Sequence, residues 1–189
     1  MADAITLTKE GLEYYEALNY TKAEKKFIKA VEIEPGNAWY QFNLGLCRLK
    51  LNELVLAEQN LKNANEYSPK NTFYLSTLGL CMYLQENYRK AGLFYIKCVA
   101  YESNNAAFHN SLGLCYDNQS LYEKAEQFYL SAAVLKPNVA QYQYNYGSCL
   151  SKQGNFSLAL ESLERAVELD PTNIEFIDGL ASCILMIAQ

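Results

Sequence analysis

This chain is short of the residues that usually carry chemistry. It has one histidine, His109, and no CxxC pair among its six cysteines. No Ser or Cys nucleophile motif and no glycine-rich phosphate loop accompanies His109. No catalytic residue, metal site or cofactor is therefore expected, and His109 reads as a helix-surface residue. Positive charge is also short: 16 Lys and Arg stand against 21 Asp and Glu, a net charge of −5. The deficit lies in residues 96–189, with five basic and ten acidic side chains, whereas residues 1–95 carry eleven of each. Without a basic stripe, nucleic acid is excluded as a ligand. No apolar run approaches the roughly 20 residues that span a bilayer. Residues Met1–Thr6 have neither the basic nor the apolar region of a signal peptide. A cytoplasmic protein that stays off the membrane is expected. Proline is rare, with four residues, but Pro35, Pro69, Pro137 and Pro171 are regularly placed.

What the chain has instead is repetition. Leu44-Gly45-Leu46-Cys47 returns 34 residues later as Leu78-Gly79-Leu80-Cys81, then as Leu112-Gly113-Leu114-Cys115 and as Tyr146-Gly147-Ser148-Cys149. Leu180-Ala181-Ser182-Cys183 follows after the same interval. With Gly45 at position 8, the repeats are 4–37, 38–71, 72–105, 106–139 and 140–173, and 174–189 is a partial sixth. Position 8 is always Gly in the complete repeats, and position 20 is Ala23, Ala57, Ala91, Ala125 and Ala159. Position 24 is large (Phe27, Leu61, Tyr95, Tyr129, Leu163), and position 27 is small (Ala30, Ala64, Cys98, Ala132, Ala166). Small residues let two helices approach, and the large one fills the space between them. Pro at position 32 stops the second helix. Asn37, Asn71, Asn105 and Asn173 then stand where the next helix begins, and Asn is a favoured N-cap. A fixed period of this length predicts one elongated all-α domain of stacked helix–turn–helix repeats.

These residues resemble the tetratricopeptide repeat (TPR) family, over about 170 of the 189 residues. The resemblance implies a right-handed superhelical solenoid of antiparallel helix pairs. It implies a non-catalytic scaffold that binds a peptide or helix of a partner protein in a concave groove. A secretion-type chaperone holding an unfolded segment and an accessory module of a larger enzyme are the alternatives. Three positions depart from the pattern: Ser103 replaces Pro, which is expected to loosen the link between the third and fourth repeats, Glu10 replaces a large apolar residue, and Ala181 replaces Gly.

The family places the groove at positions 2, 5, 6, 9, 12 and 13 of each repeat. Here these supply Trp39, Phe42, Asn43 and Leu46, then Phe73, Thr77, Leu80 and Tyr83, then Ser111 and Leu114, then Tyr144 and Asn145. The expected lining is aromatic and aliphatic in the second and third repeats, and polar but mostly uncharged in the fourth and fifth. Asn43, Thr77, Ser111 and Asn145 form a rail that could hydrogen-bond an extended peptide. The family's clamp for a terminal carboxylate is not reproduced, since only Asn43 agrees and no basic residue stands at the remaining places.

Five of the six cysteines share position 10, and Cys98 holds position 27. Equivalent positions of stacked repeats lie about 10 Å apart, too far for a disulfide, which needs Cα atoms within about 7 Å. Buried thiols acting as small apolar residues are expected. Glu161, Glu164 and Glu168 share one helix face and read as a solvated surface. From Leu180 to Ala188 every residue but Ser182 is apolar, so the last helix must turn an apolar face outward. That face, with Ile184, Leu185 and Ile187, is expected to be buried by a further repeat of a longer array or by a second copy in a homodimer. Of the two, the further repeat fits a sequence that stops in mid-repeat.

Overall fold

The computed structural model describes residues 3–188. Among the described residues there are eleven α-helices and no strand. They are α1 (Ala4–Glu16), α2 (Tyr20–Ile33), α3 (Ala38–Lys50), α4 (Leu54–Tyr67), α5 (Thr72–Leu84), α6 (Tyr88–Tyr101), α7 (Ala106–Asp117), α8 (Tyr122–Leu135), α9 (Ala140–Lys152), α10 (Phe156–Leu169) and α11 (Ile174–Ile187). Odd-numbered helices all start at position 1 of the period and even-numbered ones at position 17.

Local chemistry fixes those starts. Asn37 Oδ1 accepts the Trp39 N–H at 3.1 Å, and Asn71, Asn105 and Asn173 cap α5, α7 and α11 in the same way. Asp3 caps α1 through the Thr6 N–H. Val139, before α9, has no side-chain oxygen to offer. In the five complete repeats each first helix is followed by a left-handed residue at position 15: Leu18, Asn52, Glu86 and Ser120 have φ between 58° and 60°, and Gly154 has 80°. The next N–H then reaches back to the carbonyl five residues earlier, as from Asn19 to Tyr14 at 2.8 Å and from Asn155 to Leu150 at 3.0 Å. This closure satisfies carbonyls that the helix end leaves without partners.

Contacts divide the chain into two compact units, residues 1–97 and 98–189. In the N-terminal unit, α1 packs on α2, α2 on α3, α3 on α4 and α4 on α5. Its core includes Ala23, Phe27, Leu44 and Cys47. In the C-terminal unit, α7 packs on α8, α8 on α9, α9 on α10 and α10 on α11. Here the core groups are Ala125, Tyr129 and Cys149, then Leu150, Ala159, Leu163 and Cys183.

Within a repeat, position 8 faces position 24. A Cβ added to Gly113 would lie 2.6 Å from the Tyr129 ring, closer than atoms can sit, so only Gly permits the approach. Two of the departures are also resolved. Glu10 is half-buried and pairs with Lys26 of α2. At Ser103 the turn closes as it does at a proline: the Asn105 N–H donates to the Glu102 carbonyl at 3.1 Å, as Asn37 donates to Glu34 at 3.2 Å. The closure uses backbone atoms that do not depend on proline.

Candidate functional site

The N-terminal unit presents an aromatic surface on α3 and α5. Trp39 is 44% exposed, Phe73 57% and Leu80 43%. Beneath Trp39 and Phe73 lies Phe42, whose ring centroid is 6.0 Å from Trp39, 4.9 Å from Phe73 and 4.8 Å from Tyr74. Phe42 is 1% exposed, so it is the floor of this surface and not a contact that a ligand can reach. Two members of the expected polar rail are likewise turned into the fold. Asn43 Nδ2 donates to the Trp39 carbonyl at 2.7 Å, and Thr77 Oγ1 donates to the Phe73 carbonyl at 2.8 Å; both residues are buried. Each bond is to the carbonyl four residues back, the usual resort of a short polar side chain inside a helix. Leu46 and Tyr83 are half-buried, and Tyr83 meets Tyr88 edge-on at 5.2 Å.

The C-terminal unit presents a different surface. Leu114 is half-buried and packs on the core of Ala125, Tyr129 and Cys149. Ser111, three residues earlier on α7, is also half-buried. Asn145 is tied into a chain of amides, accepting from Gln141 Nε2 at 2.9 Å and donating to Asn110 Oδ1 at 2.7 Å. Tyr144 is half-buried and stacks on Phe176 at 4.8 Å. Burial, followed by the nearby Glu175 carboxylate, pushes its phenol up.

Next to these residues is a cleft of about 270 Å³ that the sequence reading did not single out. Ser148, Ser151, Lys152, Gly179, Ser182 and Met186 line it, with Phe156, Leu163 and Cys183 also on its wall. The signal was available: position 9 changes from Leu46, Leu80 and Leu114 to Ser148 and Ser182, and position 6 becomes Gly179. Small residues at those places leave room that leucines would fill. At one side Lys152 Nζ holds both Asp117 carboxylate oxygens, at 2.7 and 2.8 Å.

Two polar features behind the surfaces hold the repeats in register. Gln41 Nε2 donates to the Pro35 carbonyl at 2.9 Å and Gln143 Nε2 to that of Pro137 at 3.2 Å. His109 occupies the same position of its repeat, and its Nε2 lies 2.8 Å from the Ser103 carbonyl. The histidine is therefore half-buried in a structural role and not a simple surface residue. A second network joins three helices: Arg48 bonds Glu24 at 2.9 Å and Asn60 at 2.7 Å, and Asn60 donates to Gln41 at 2.7 Å.

All six cysteines are buried, and none is in a disulfide. Four donate S–H to the carbonyl 27 residues earlier: Cys47 to Tyr20, Cys81 to Leu54, Cys149 to Tyr122 and Cys183 to Phe156, at 3.1–3.4 Å. Position 10 thus carries a weak hydrogen bond onto the first residue of the preceding helix, beyond the apolar role read from sequence. Burial, then Glu24, pushes the Cys47 thiol up to about 12, and burial alone does the same at Cys115. Neither is a reactive thiolate at neutral pH.

The repeat pattern has a match among known families. The tetratricopeptide repeat model matches residues 8–65 and 85–140, and a second model of that repeat matches 140–173. The chain belongs to the tetratricopeptide repeat family. Its all-α TPR solenoid class, expected from the period, agrees with solved structures. MamA from Desulfovibrio magneticus RS-1 superposes with a TM-score of 0.85 at 17% identity, covering 90% of this chain and 97% of that one. YrrB, described as a TPR protein with an unusual peptide-binding site, gives 0.80 at 19%, covering 93% and 91%. Pseudomonas aeruginosa pilF gives 0.78 at 19%, covering 97% and 90%. Likeness at these identities speaks for the fold alone. No curated protein matches the TPR chain at a significant level. No helix among the described residues is long and apolar enough to cross a membrane.

Proposed function

We propose that this TPR chain is a non-catalytic, cytoplasmic scaffold that takes a peptide or helix of a partner protein on the exposed faces of its first helices. The observation that carries the reading is the aromatic surface of α3 and α5. Trp39 and Phe73 stand exposed over the ring of the buried Phe42, and Leu80 is exposed two turns further along α5. Large exposed apolar side chains on a rigid floor are the usual make-up of a binding hot spot. Such a surface suits a ligand with bulky apolar anchors at helical or extended spacing. In the C-terminal unit, the cleft beside Lys152 would take a smaller apolar side chain. The amide chain of Gln141, Asn145 and Asn110 would order the polar backbone around it.

Trp39 is the chain's one tryptophan, so the surface carries its own reporter. Peptides selected from a random display library against the whole protein should change Trp39 emission on titration. Phe73→Ala with Leu80→Ala should weaken the selected peptides by about 100-fold, in the range of hot-spot losses. Affinity should change little with salt, since the surface lacks a basic cluster. Selected peptides that bind the double variant unchanged, with Trp39 silent, would rule out this surface.

A further inference from the structure

The second helices carry a surface of their own, and α6 differs there from the others. Its span Tyr88–Tyr101 holds Arg89, Lys90 and Lys97 and no acidic residue, in a chain whose net charge is −5. All three cations are exposed, and none is in an ion pair among the described residues. Lys97 Nζ lies 5.9 Å from the centre of the Phe94 ring. Glu58, the carboxylate that senses Lys90, is already bonded to Lys62 at 2.5 Å and to Gln85 at 3.0 Å.

Between the lysines two aliphatic side chains stand in solvent, Leu93 at 57% and Ile96 at 42% exposed. Lys90, Leu93, Phe94, Ile96 and Lys97 together line a depression of about 360 Å³. The aliphatic pair is not part of the repeat plan. Position 22 is Lys25, Gln59, Gln127 and Glu161 in the other complete repeats, and position 25 is Ile28, Lys62, Leu130 and Glu164. Only α6 places an aliphatic residue at both.

We propose that this face of α6 docks an acidic amphipathic helix of a partner protein. Its unpaired cations call for carboxylates, and its depression calls for a bulky apolar side chain between them. Spacing selects the helix. Lys90 and Lys97 are seven residues apart, about 10.5 Å along the axis, and a partner helix matches that with acids seven residues apart. In an extended segment, side chains on one face recur about every 6.7 Å, and neither one nor two such steps gives this distance. A lipid surface is excluded on shape: it is flat, whereas Leu93 and Ile96 line a depression. Ala91 and Tyr95 of the same helix are buried, so α6 cannot roll to immerse a broad apolar face as membrane-surface helices do. The site shares no residue with the aromatic surface of α3 and α5.

A library of displayed helical peptides, selected on the whole protein and depleted on the variant carrying Lys90→Glu and Lys97→Glu, tests this. Recovered peptides should carry Asp or Glu seven residues apart with Leu, Ile or Phe between them. Their affinity should fall about tenfold from about 0.1 to 1 M salt, as the screening length shrinks from about 10 to about 3 Å, since two exposed ion pairs are worth about that factor. Leu93→Ala should cost about another tenfold. The reversed variant should bind versions of these peptides with Lys in place of the acids, a gain that misfolding cannot produce. Lys90→Gln with Lys97→Gln, its helicity checked by circular dichroism, should also lose the acidic peptides. Trp39 emission should stay constant on titration, which separates failure here from failure of the groove. Recovered peptides without acids, or no exchange of preference on charge reversal, would overturn the proposal. So would flotation of the protein with phosphatidylglycerol vesicles through the same lysines while no helix is recovered.

Discussion

The two units are built from the same 34-residue plan, yet their exposed first-helix faces differ. The N-terminal unit shows rings, Trp39 and Phe73, laid over a third ring. The C-terminal unit shows amides and a cleft bounded by serines and glycine. The positions that hold the fold are the same in both: Gly at 8, Ala at 20, a large residue at 24 and a buried Cys at 10. Positions 2, 5, 6 and 9 vary between the units, and they divide between the two jobs: Phe42, Asn43 and Thr77 are buried, whereas Trp39, Phe73 and Leu80 are exposed. The units also differ in structural detail, and three measurements sharpen that contrast.

The largest expected effect is on alkaline stability. Burial holds Cys98 and Cys115 up to about 12 and Cys149 up to about 11 in the C-terminal unit. In the N-terminal unit Cys47 is held up to about 12, and Cys81 is also raised. Raised tyrosines balance, with Tyr15, Tyr40 and Tyr74 on one side and Tyr142, Tyr144 and Tyr146 on the other. The thiols stay protonated in the native state and ionise in the unfolded one near pH 8.5. The unfolded chain then binds fewer protons, so stability is fully present below that pH and falls as pH rises towards about 12. The thermal midpoint should drop between pH 8.5 and 10.5, and hydrogen exchange should show α7–α10 losing protection before α1–α4. Simultaneous loss in both units would erase this difference.

The next effect concerns helix approach. In the C-terminal unit a Cβ at Gly113 would lie 2.6 Å from the ring of Tyr129, which is 1% exposed and has no room to withdraw. In the N-terminal unit a Cβ at Gly79 would lie 3.1 Å from Tyr95, a contact that a few tenths of an ångström relieves. Alanine gains about 1 kcal/mol of helix propensity over glycine, and overpacking costs about 1–3 kcal/mol. Gly113→Ala should therefore be net destabilising by about 1–2 kcal/mol, and Gly79→Ala near neutral. Urea denaturation of the two variants reads the difference directly.

Much of this was legible in the residues. Gly at position 8 and its large partner at 24 gave the helix pair, and Asn at position 34 gave the start of each first helix. Both are local, repeated and stereochemically demanding, so they survive as patterns. The depth of a side chain is not local. Phe42 stands at a groove position, but Trp39 and Phe73 close over it, and only their mutual placement shows that. The cleft likewise depends on what is small on two helices at once, Ser148 on α9 and Gly179 on α11. The left-handed residue at position 15 had no signal either, because Leu18, Asn52, Glu86 and Ser120 share no chemistry. The backbone closure imposes that conformation whatever the side chain.

The smallest effect tests whether the caps are what set the helix starts. In the N-terminal unit α1, α3 and α5 all receive a side-chain bond from Asp3, Asn37 or Asn71. In the C-terminal unit α9 does not, because Val139 stands at the cap. Val139 has φ −99° and ψ 104°, close to the −89° and 99° of the capping Asn105, so an asparagine would need no change of backbone. Val139→Asn should add a bond from the Gln141 N–H to the new Oδ1 and stabilise by about 1 kcal/mol, the usual worth of such a cap. Val139 is half-buried, and losing its apolar contact offsets part of that gain, roughly 0.5 kcal/mol for partial burial of a small side chain. Val139→Thr keeps more of the apolar contact and offers a weaker cap. Asn more stable than Thr, and Thr more stable than Val, would show that capping outweighs burial. The reverse order would show that α9 is held by its packing alone.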